Sequence, residues 1–332
     1  MDNAYKYIAQ FYQGKSILIT GASGFIGSSM ITFLANIDCH IVRLSRHEMP
    51  SLLDTVANIQ DIHGDICYVG LWKTLLDEHN IDIVFHLAAQ TSAYEAAKMP
   101  LDDLQINVEA FVALLEGIRN KGCQTGVVFA STATVFGLTS EVPVNEKHAE
   151  HPITIYDINK QTSEQYLEFY AKQGWVQGCS LRLPNIYGPG VKSSKKERGV
   201  INQIIQQALK GHDLYVYGDG KYLRDFLYID DVVRAFLLAG CCLDKAQGQA
   251  FVIGNGQSTT LKSVFSSVCE IVKNEKDIDV LVKSKSPPNT LSPIEFRNYS
   301  ADYQKFHALT GWKPFYCLRD GLMKTVKYFV EF

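Results

Sequence analysis

The stretch Ser16-Ile17-Leu18-Ile19-Thr20-Gly21-Ala22-Ser23-Gly24-Phe25-Ile26-Gly27 decides the fold. A short apolar, β-branched run reads as a buried strand, three glycines spaced by three follow at once, and an apolar helical pattern begins at Phe25. Strand, glycine turn and helix in this order describe a dinucleotide-binding turn. Gly21 permits the tight turn, Gly24 lets the backbone approach a pyrophosphate, and Gly27 lets the helix lie close to the sheet. The helix start adds free N–H groups and the positive end of a dipole. Ser23, Phe25 and Ile26 belong to the same turn and are expected at the cofactor.

The alternation continues outward from this turn. Strands are expected over residues 16–20, 40–44, 61–66, 81–87, 126–130 and 176–182, and helices over 25–35, 71–78, 104–119 and 156–172. Strands buried on both faces and separated by helices predict an α/β fold, a Rossmann doubly wound parallel sheet with its ligand crevice at the strands' carboxyl ends. After about residue 184 the pattern becomes shorter and richer in Gly and Pro, as at Gly188-Pro189-Gly190 and Ser286-Pro287-Pro288. This predicts a Rossmann domain over 1–183 and a smaller mixed α/β substrate-binding domain over 184–332, with 225–240 packing back on the first. Residues 1–13 have a helical look, with Tyr5, Ile8 and Phe11 or Tyr12 on one side, as of an added helix capping the sheet.

Composition sets the class. The chain has 332 residues, 46% hydrophobic and 20% charged, which is enough for a large core without staples. Its net charge of −3 shows no basic stripe for nucleic acid. The short run Lys192 to Arg198 reads either as a solvated loop or as a neighbour of a phosphorylated substrate. The eight cysteines form no C-x-x-C pair and no zinc spacing, so no metal is expected. With neither a signal peptide nor a membrane span in view, the reducing cytoplasm is the expected location.

Three strand ends add candidates. The second closes on Ser45-Arg46, where an NAD site usually places an acid; serine and arginine suit a 2′-phosphate, which leans the cofactor from NAD toward NADP, although a solvent-facing Arg46 would be neutral. Asp65 and Ile66 close the third strand, where a short acid can accept from the adenine amino group. Leu87, Ala88 and Ala89 close the fourth and let backbone pass near the cofactor, with Gln90 next on the substrate side. Any of these is also compatible with a plain tight strand end.

Tyr156 and Lys160 open a helical stretch at i,i+4 spacing, on one face. A phenol has an unperturbed pKa near 10, so it is a poor base at neutral pH unless a cation stabilises its phenolate. Lys160 supplies that charge and a donor for the nicotinamide ribose. Upstream, Ser131 and Thr132 stand at the fifth strand's carboxyl edge, and Thr132 is the residue expected to hold the reacting sugar hydroxyl.

Taken jointly, these residues resemble the extended short-chain dehydrogenase/reductase family, the NAD-dependent epimerase/dehydratase group acting on nucleotide sugars. Gly21/Gly24/Gly27, Gly64-Asp65, His86 to Ala89, Asn107-Val108, Ser131-Thr132, Tyr156/Lys160, Arg182 to Pro189, Arg224-Asp225-Phe226 and Gly311-Trp312 fall in the family's order along nearly the whole chain. The resemblance implies Thr132, Tyr156 and Lys160 as the catalytic set and places Asn107 and Pro184 at the cofactor. It also puts Asn185 on the substrate diphosphate, Arg224 on a nucleotide phosphate or ribose, and Tyr217 near the base, though Tyr217 is equally compatible with the core. A homodimer through the helices near 104–119 and 156–172 is implied in the same way.

The expected reaction follows from one contrast. Family members that dehydrate the sugar carry Asp-Glu directly after the strand-end hydroxyl residue, and here those positions are Ala133-Thr134. Ser131 to Gly137 is similar to the corresponding segment of UDP-hexose 4-epimerases, so a 4-epimerase serving nucleotide-sugar and surface-polysaccharide synthesis is the leading expectation. Two departures, the missing acid at Ser45 and the replacement of an Arg-x-Gly-Asp stretch by Leu291 to Arg297, leave an NADPH-dependent 4-ketoreductase as the alternative. A non-catalytic dinucleotide-binding protein is the third reading.

Overall fold

Ile17 and Ile19 point to one side of the first strand and Leu18 to the other, and all three are fully buried. A strand buried on both faces must lie inside a sheet covered by helices on both sides. The computed structural model, which describes residues 3–52, 54–122, 124–191 and 199–331, has this architecture.

Helix α1 (Asn3–Tyr12) precedes β1 (Ser16–Thr20), α2 (Phe25–Leu34), β2 (His40–Ser45), β3 (Asn58–His63), α3 (Val69–Glu78) and β4 (Ile83–His86). Two short helices, α4 (Ala93–Lys98) and α5 (Pro100–Leu104), lead through a π-helical turn (Gln105–Glu109) into α6 (Ala110–Lys121). Then come β5 (Gly126–Thr132), a 3₁₀ turn (Ala133–Phe136), α7 (Ile155–Lys172) and β6 (Gln177–Leu183). The smaller half holds β7 (Asn185–Tyr187), α8 (Val200–Leu209), β8 (Leu214–Tyr217), β9 (Leu223–Tyr228), α9 (Ile229–Cys241), α10 (Leu243–Ala246), β10 (Ala250–Val252) and β11 (Ser258–Thr260). It ends on α11 (Leu261–Lys276), β12 (Val282–Lys285), α12 (Gln304–Thr310) and α13 (Leu318–Glu331).

Among the described residues the large sheet has seven strands in the order β10-β6-β5-β4-β1-β2-β3, every neighbouring pair parallel. One face packs on α1, α2 and α9 and the other on α3, α6 and α7. Material beyond residue 184 thus reaches the large sheet through α9, α10 and α12 and supplies its edge strand β10. The mixed sheet β11-β9-β7 and the pair β12-β8 sit with α8, α11 and α13 around a separate core. Helix α1 buries Ile8 and Tyr12 against the sheet, and the Tyr12 hydroxyl donates to Leu237 O at 2.8 Å.

Two elements depart from expectation. The third strand is Asn58–His63 rather than 61–66, so Gly64, Asp65 and Ile66 lie in the loop beyond it. This is an edge strand whose polar face meets solvent, and its pairing with β2 supplies what its own sequence lacks: Arg43 faces Asp61 in register and bonds it at 2.5 Å. The helix expected over 104–119 is interrupted by the π-helical turn, which carries Asn107.

Beyond the backbone ladder between β1 and β4, one hydroxyl ties β1 to the loop that follows β4. Thr20 Oγ1 accepts from Leu87 N and Ala88 N, each at 3.1 Å, so its own proton is directed to His86 Nδ1 at 3.3 Å. Burial then pushes the His86 pKa down to about 3, helped by the nearby Lys160 charge. The folded protein keeps this ring neutral, whereas the unfolded chain protonates it near its ordinary value of 6.5. His86 should therefore cost stability as pH falls from about 6.5 toward 3, with a slope of at most about 1.4 kcal/mol per pH unit. Urea unfolding of the His86→Gln variant should show a shallower loss over this range; equal slopes would contradict the neutral, buried ring.

Candidate active site

A cleft of 1210 Å³ opens at the carboxyl ends of β1, β2, β4 and β5. Its floor is the glycine turn. Gly21 has φ +67°, and a Cβ there would lie 2.8 Å from Ala88 N, a backbone atom that cannot move aside. At Gly27 the same atom would meet Gly21 O at 2.4 Å, so the helix can approach the turn only without a side chain. The first turn of α2 brings Phe25 and Ile26 to the cleft wall, with its unpaired N–H groups at the same end. This cradle, and the buried Ser131 hydroxyl that has no partner, fit a dinucleotide.

The cleft gathers Gly21, Ser23, Gly24, Phe25, Ile26, Gly27, Ser45, Arg46, Asp65, Ile66, Leu87, Ala88, Ala89, Gln90, Ser131, Thr132, Tyr156, Lys160 and Pro184. At the end of the cleft beyond β2, Ser45 Oγ lies 2.7 Å from Ser23 Oγ and accepts from His47 N at 3.0 Å. Arg46 pairs with Asp65 at 3.4 Å, and Glu48, which no motif in the sequence marks, shares this wall. Asp65 Oδ1 also accepts from Cys67 N, and these bonds with the Arg46 charge outweigh burial to lower its pKa.

At the other end Lys160 is 2% exposed, with its ammonium 3.9 Å from the centre of the Phe129 ring. Burial brings the Lys160 pKa down to about 7, against the pull of Glu164 and Asp103. Asp103 is itself buried and takes three amide donors: Gln90 Nε2 at 2.8 Å, Asn107 Nδ2 at 2.9 Å and Asn159 Nδ2 at 2.8 Å. Asn107 therefore lies behind the cleft wall, holding the Gln90 carbonyl and Asp103 rather than facing the cavity. Asp103 and Asn159 went unnoticed in the sequence, although Asp103 stands four residues before Asn107 on consecutive helical turns.

Asn185, Tyr217 and Arg224 also stand outside the cleft wall. Arg224 is 2% exposed and donates to the carbonyls of Leu223, Glu295 and Arg297, so its guanidinium braces the turn Pro293–Phe296 instead of facing a phosphate. Burial, and then the Arg297 charge, lowers its pKa to about 9. Asn185 Oδ1 accepts from Arg297 Nη2 at 3.4 Å, and Tyr217 is half exposed on β8. The run Lys192 to Arg198 lies outside the described residues. Among the described residues no helix is long and apolar enough to cross a membrane.

A glycine-turn cradle and a Tyr/Lys pair within one cleft define a dinucleotide-dependent enzyme of the extended short-chain dehydrogenase/reductase type. The NAD dependent epimerase/dehydratase family matches residues 17–254, and the chain belongs to that family. Among curated relatives, UDP-glucose 4-epimerase of Mycolicibacterium smegmatis is 30% identical over 318 residues, covering 94% of this chain and 97% of that protein. dTDP-4-dehydro-6-deoxyglucose reductase of Escherichia coli is 29% identical over 327 residues, covering 94% and 96%. The structure of Thermotoga maritima UDP-glucose 4-epimerase with UDP-glucose superposes with a TM-score of 0.84 at 32% identity, covering 95% of this chain and 99% of that one.

The glycine cradle carries its own test. Gly21→Ala should weaken NAD⁺ binding by about tenfold or more, since the added atom forces the β4 loop away and the residue is strained at positive φ. Gly14 also has positive φ, but open space surrounds it, so Gly14→Ala should leave NAD⁺ affinity unchanged. Calorimetric titration of both variants checks this, and equal affinities would contradict the cradle.

Proposed function

We propose that the protein is a nucleotide-sugar 4-epimerase, working on a UDP-hexose through a transient 4-keto sugar. The observation that carries this reading is the meeting of Thr132, Tyr156 and Lys160 in the cleft that begins at the glycine turn. A bound nicotinamide supplies reversible hydride transfer at the sugar carbon. Tyr156, held as the phenolate by the Lys160 charge, takes the hydroxyl proton of the sugar and, as the phenol it then becomes, later returns it. Thr132 holds the sugar beside Tyr156, and Ser131, with its free buried oxygen, lies next to Thr132. Neither residue after Thr132 is a carboxylate, so the extra acid and base that water loss needs are missing from that wall.

In this reading the unit beyond residue 184 contributes the nucleotide pocket, with Asn185 and Arg224 holding the 293–297 segment at its edge. Two chains pair through α6 and α7, a proposal supported by Ile158, Tyr166 and Phe169, which are exposed along one side of α7. Arg46 is the observation that favours the second reading, a 4-ketoreductase using NADPH. Its pair with Asp65 is half exposed, so turning it toward a 2′-phosphate costs about 1 kcal/mol or less. We propose that both cofactors enter and that Arg46 discriminates between them.

Incubation of the cofactor-loaded protein with UDP-glucose should yield UDP-galactose without net consumption of cofactor. Tyr156→Phe should lower this rate by about 100-fold or more while folding and cofactor binding stay intact; unchanged turnover would remove Tyr156 from the mechanism. Net oxidation of NADPH by a 4-keto-6-deoxy sugar nucleotide would instead establish the reductase. Arg46→Ala should weaken NADP⁺ about tenfold more than NAD⁺, and equal losses would end its discriminating role.

A further inference from the structure

The carboxylate of Asp157 follows Tyr156 directly, yet it lines no part of the cleft. It is 1% exposed, its Oδ1 accepts a hydrogen bond from Thr134 Oγ1, and Thr134 Oγ1 lies 2.8 Å from Thr132 Oγ1. The Thr134 N–H donates to Thr132 Oγ1 at 3.2 Å. The direction of the protons follows from donor and acceptor counts. An ionised carboxylate only accepts, so the single Thr134 hydroxyl proton goes to Asp157, and the Thr134 oxygen is left to accept from Thr132. Thr132 then has spent its proton on Thr134 and one lone pair on the Thr134 N–H. What it still offers is a lone pair and no donor.

We propose that Asp157 is a positioning residue which, through Thr134, makes Thr132 a fixed hydrogen-bond acceptor that holds the sugar by a hydroxyl next to the one Tyr156 deprotonates. This rests on the assignment of Thr132, Tyr156 and Lys160 given above. The consequence is a division of labour: Thr132 orients the sugar through the neighbouring hydroxyl, which leaves the reacting proton free to point at Tyr156, and Tyr156 alone exchanges it. The groups facing the carboxylate are Thr134 from the turn after β5, Thr154 at the start of α7, and Arg297 from the far turn. Burial pushes the Asp157 pKa up, and these three groups pull it back toward the charged form. Thr134 occupies one of the positions where dehydrating relatives carry a carboxylate. Here the carboxylate lies behind a hydroxyl, out of the substrate's reach, so it can orient but not protonate the sugar.

Thr134→Val keeps the volume and removes the link, whereas Thr134→Ser keeps the link. In the cofactor-loaded protein turning over UDP-glucose, Thr134→Val should lower kcat by about tenfold to a hundredfold with KM within about threefold of the parent, and Thr134→Ser should recover most of that loss. An unchanged kcat in Thr134→Val, or equal losses in both variants, would overturn the proposal. A second reading needs no turnover: ¹³C NMR titration of carboxyl-labelled aspartate, with the Asp157 signal assigned from Asp157→Asn. Its midpoint should rise by about half a pH unit or more in Thr134→Val and stay in place in Thr134→Ser; a midpoint unmoved in Thr134→Val would overturn the proposal. If Tyr156→Phe retains full activity, the catalytic assignment itself fails; if only the Thr134 variants behave like the parent, the positioning role alone fails.

Discussion

A buried ammonium organises this molecule's working end. Lys160 lies beneath the cleft, almost without solvent, and an unpaired charge there would be costly. The surrounding chain answers that cost: the Phe129 face lies 3.9 Å away, and Glu164 and Asp103 oppose the effect of burial. Glu164 is fixed in turn by Arg182 on β6, and Asp103 by three side-chain amides. The π-helical turn between α5 and α6 fits this network, because Asp103 lies just before it and Asn107 within it, and the two bond to each other. Helix α7, the loop after β4 and the α5–α6 junction are thus joined through polar groups that converge on a single cation.

The glycine-turn end of the cleft is organised differently, by absence of atoms. Gly21 and Gly27 bring α2 against the turn and the turn against the β4 loop, and Thr20 locks that loop with its one hydroxyl. Both ends face the same crevice because the strands are all parallel and their carboxyl ends lie together. A fixed cradle at one end and a buried charge at the other thus bound one cleft.

Much of this was legible in the sequence, and the limits have physical reasons. Ser16–Thr20 was read to the residue because its apolar run is buried on both faces and a glycine turn ends it abruptly. Tyr156 and Lys160 were legible because helical spacing alone puts them together. The edge strand Asn58–His63 was shifted by three residues because one side of it faces water and its partner strand, not its own composition, fixes its place. Asp103, Asn159 and Asp157 were missed because their importance lies in partners 4 to 56 residues away in the chain. Arg224 shows the converse. An arginine suited to phosphate is here held by three carbonyls, and only the path of the 293–297 turn reveals it.

Hydride transfer within one closed site is the claim on which the functional account stands, and isotopic labelling at the reacting carbon tests it most directly. The cofactor-loaded protein, given UDP-glucose deuterated at C4, should form UDP-galactose with deuterium kept at C4. Loss of the label to solvent, or failure to invert C4 at all, would contradict the account.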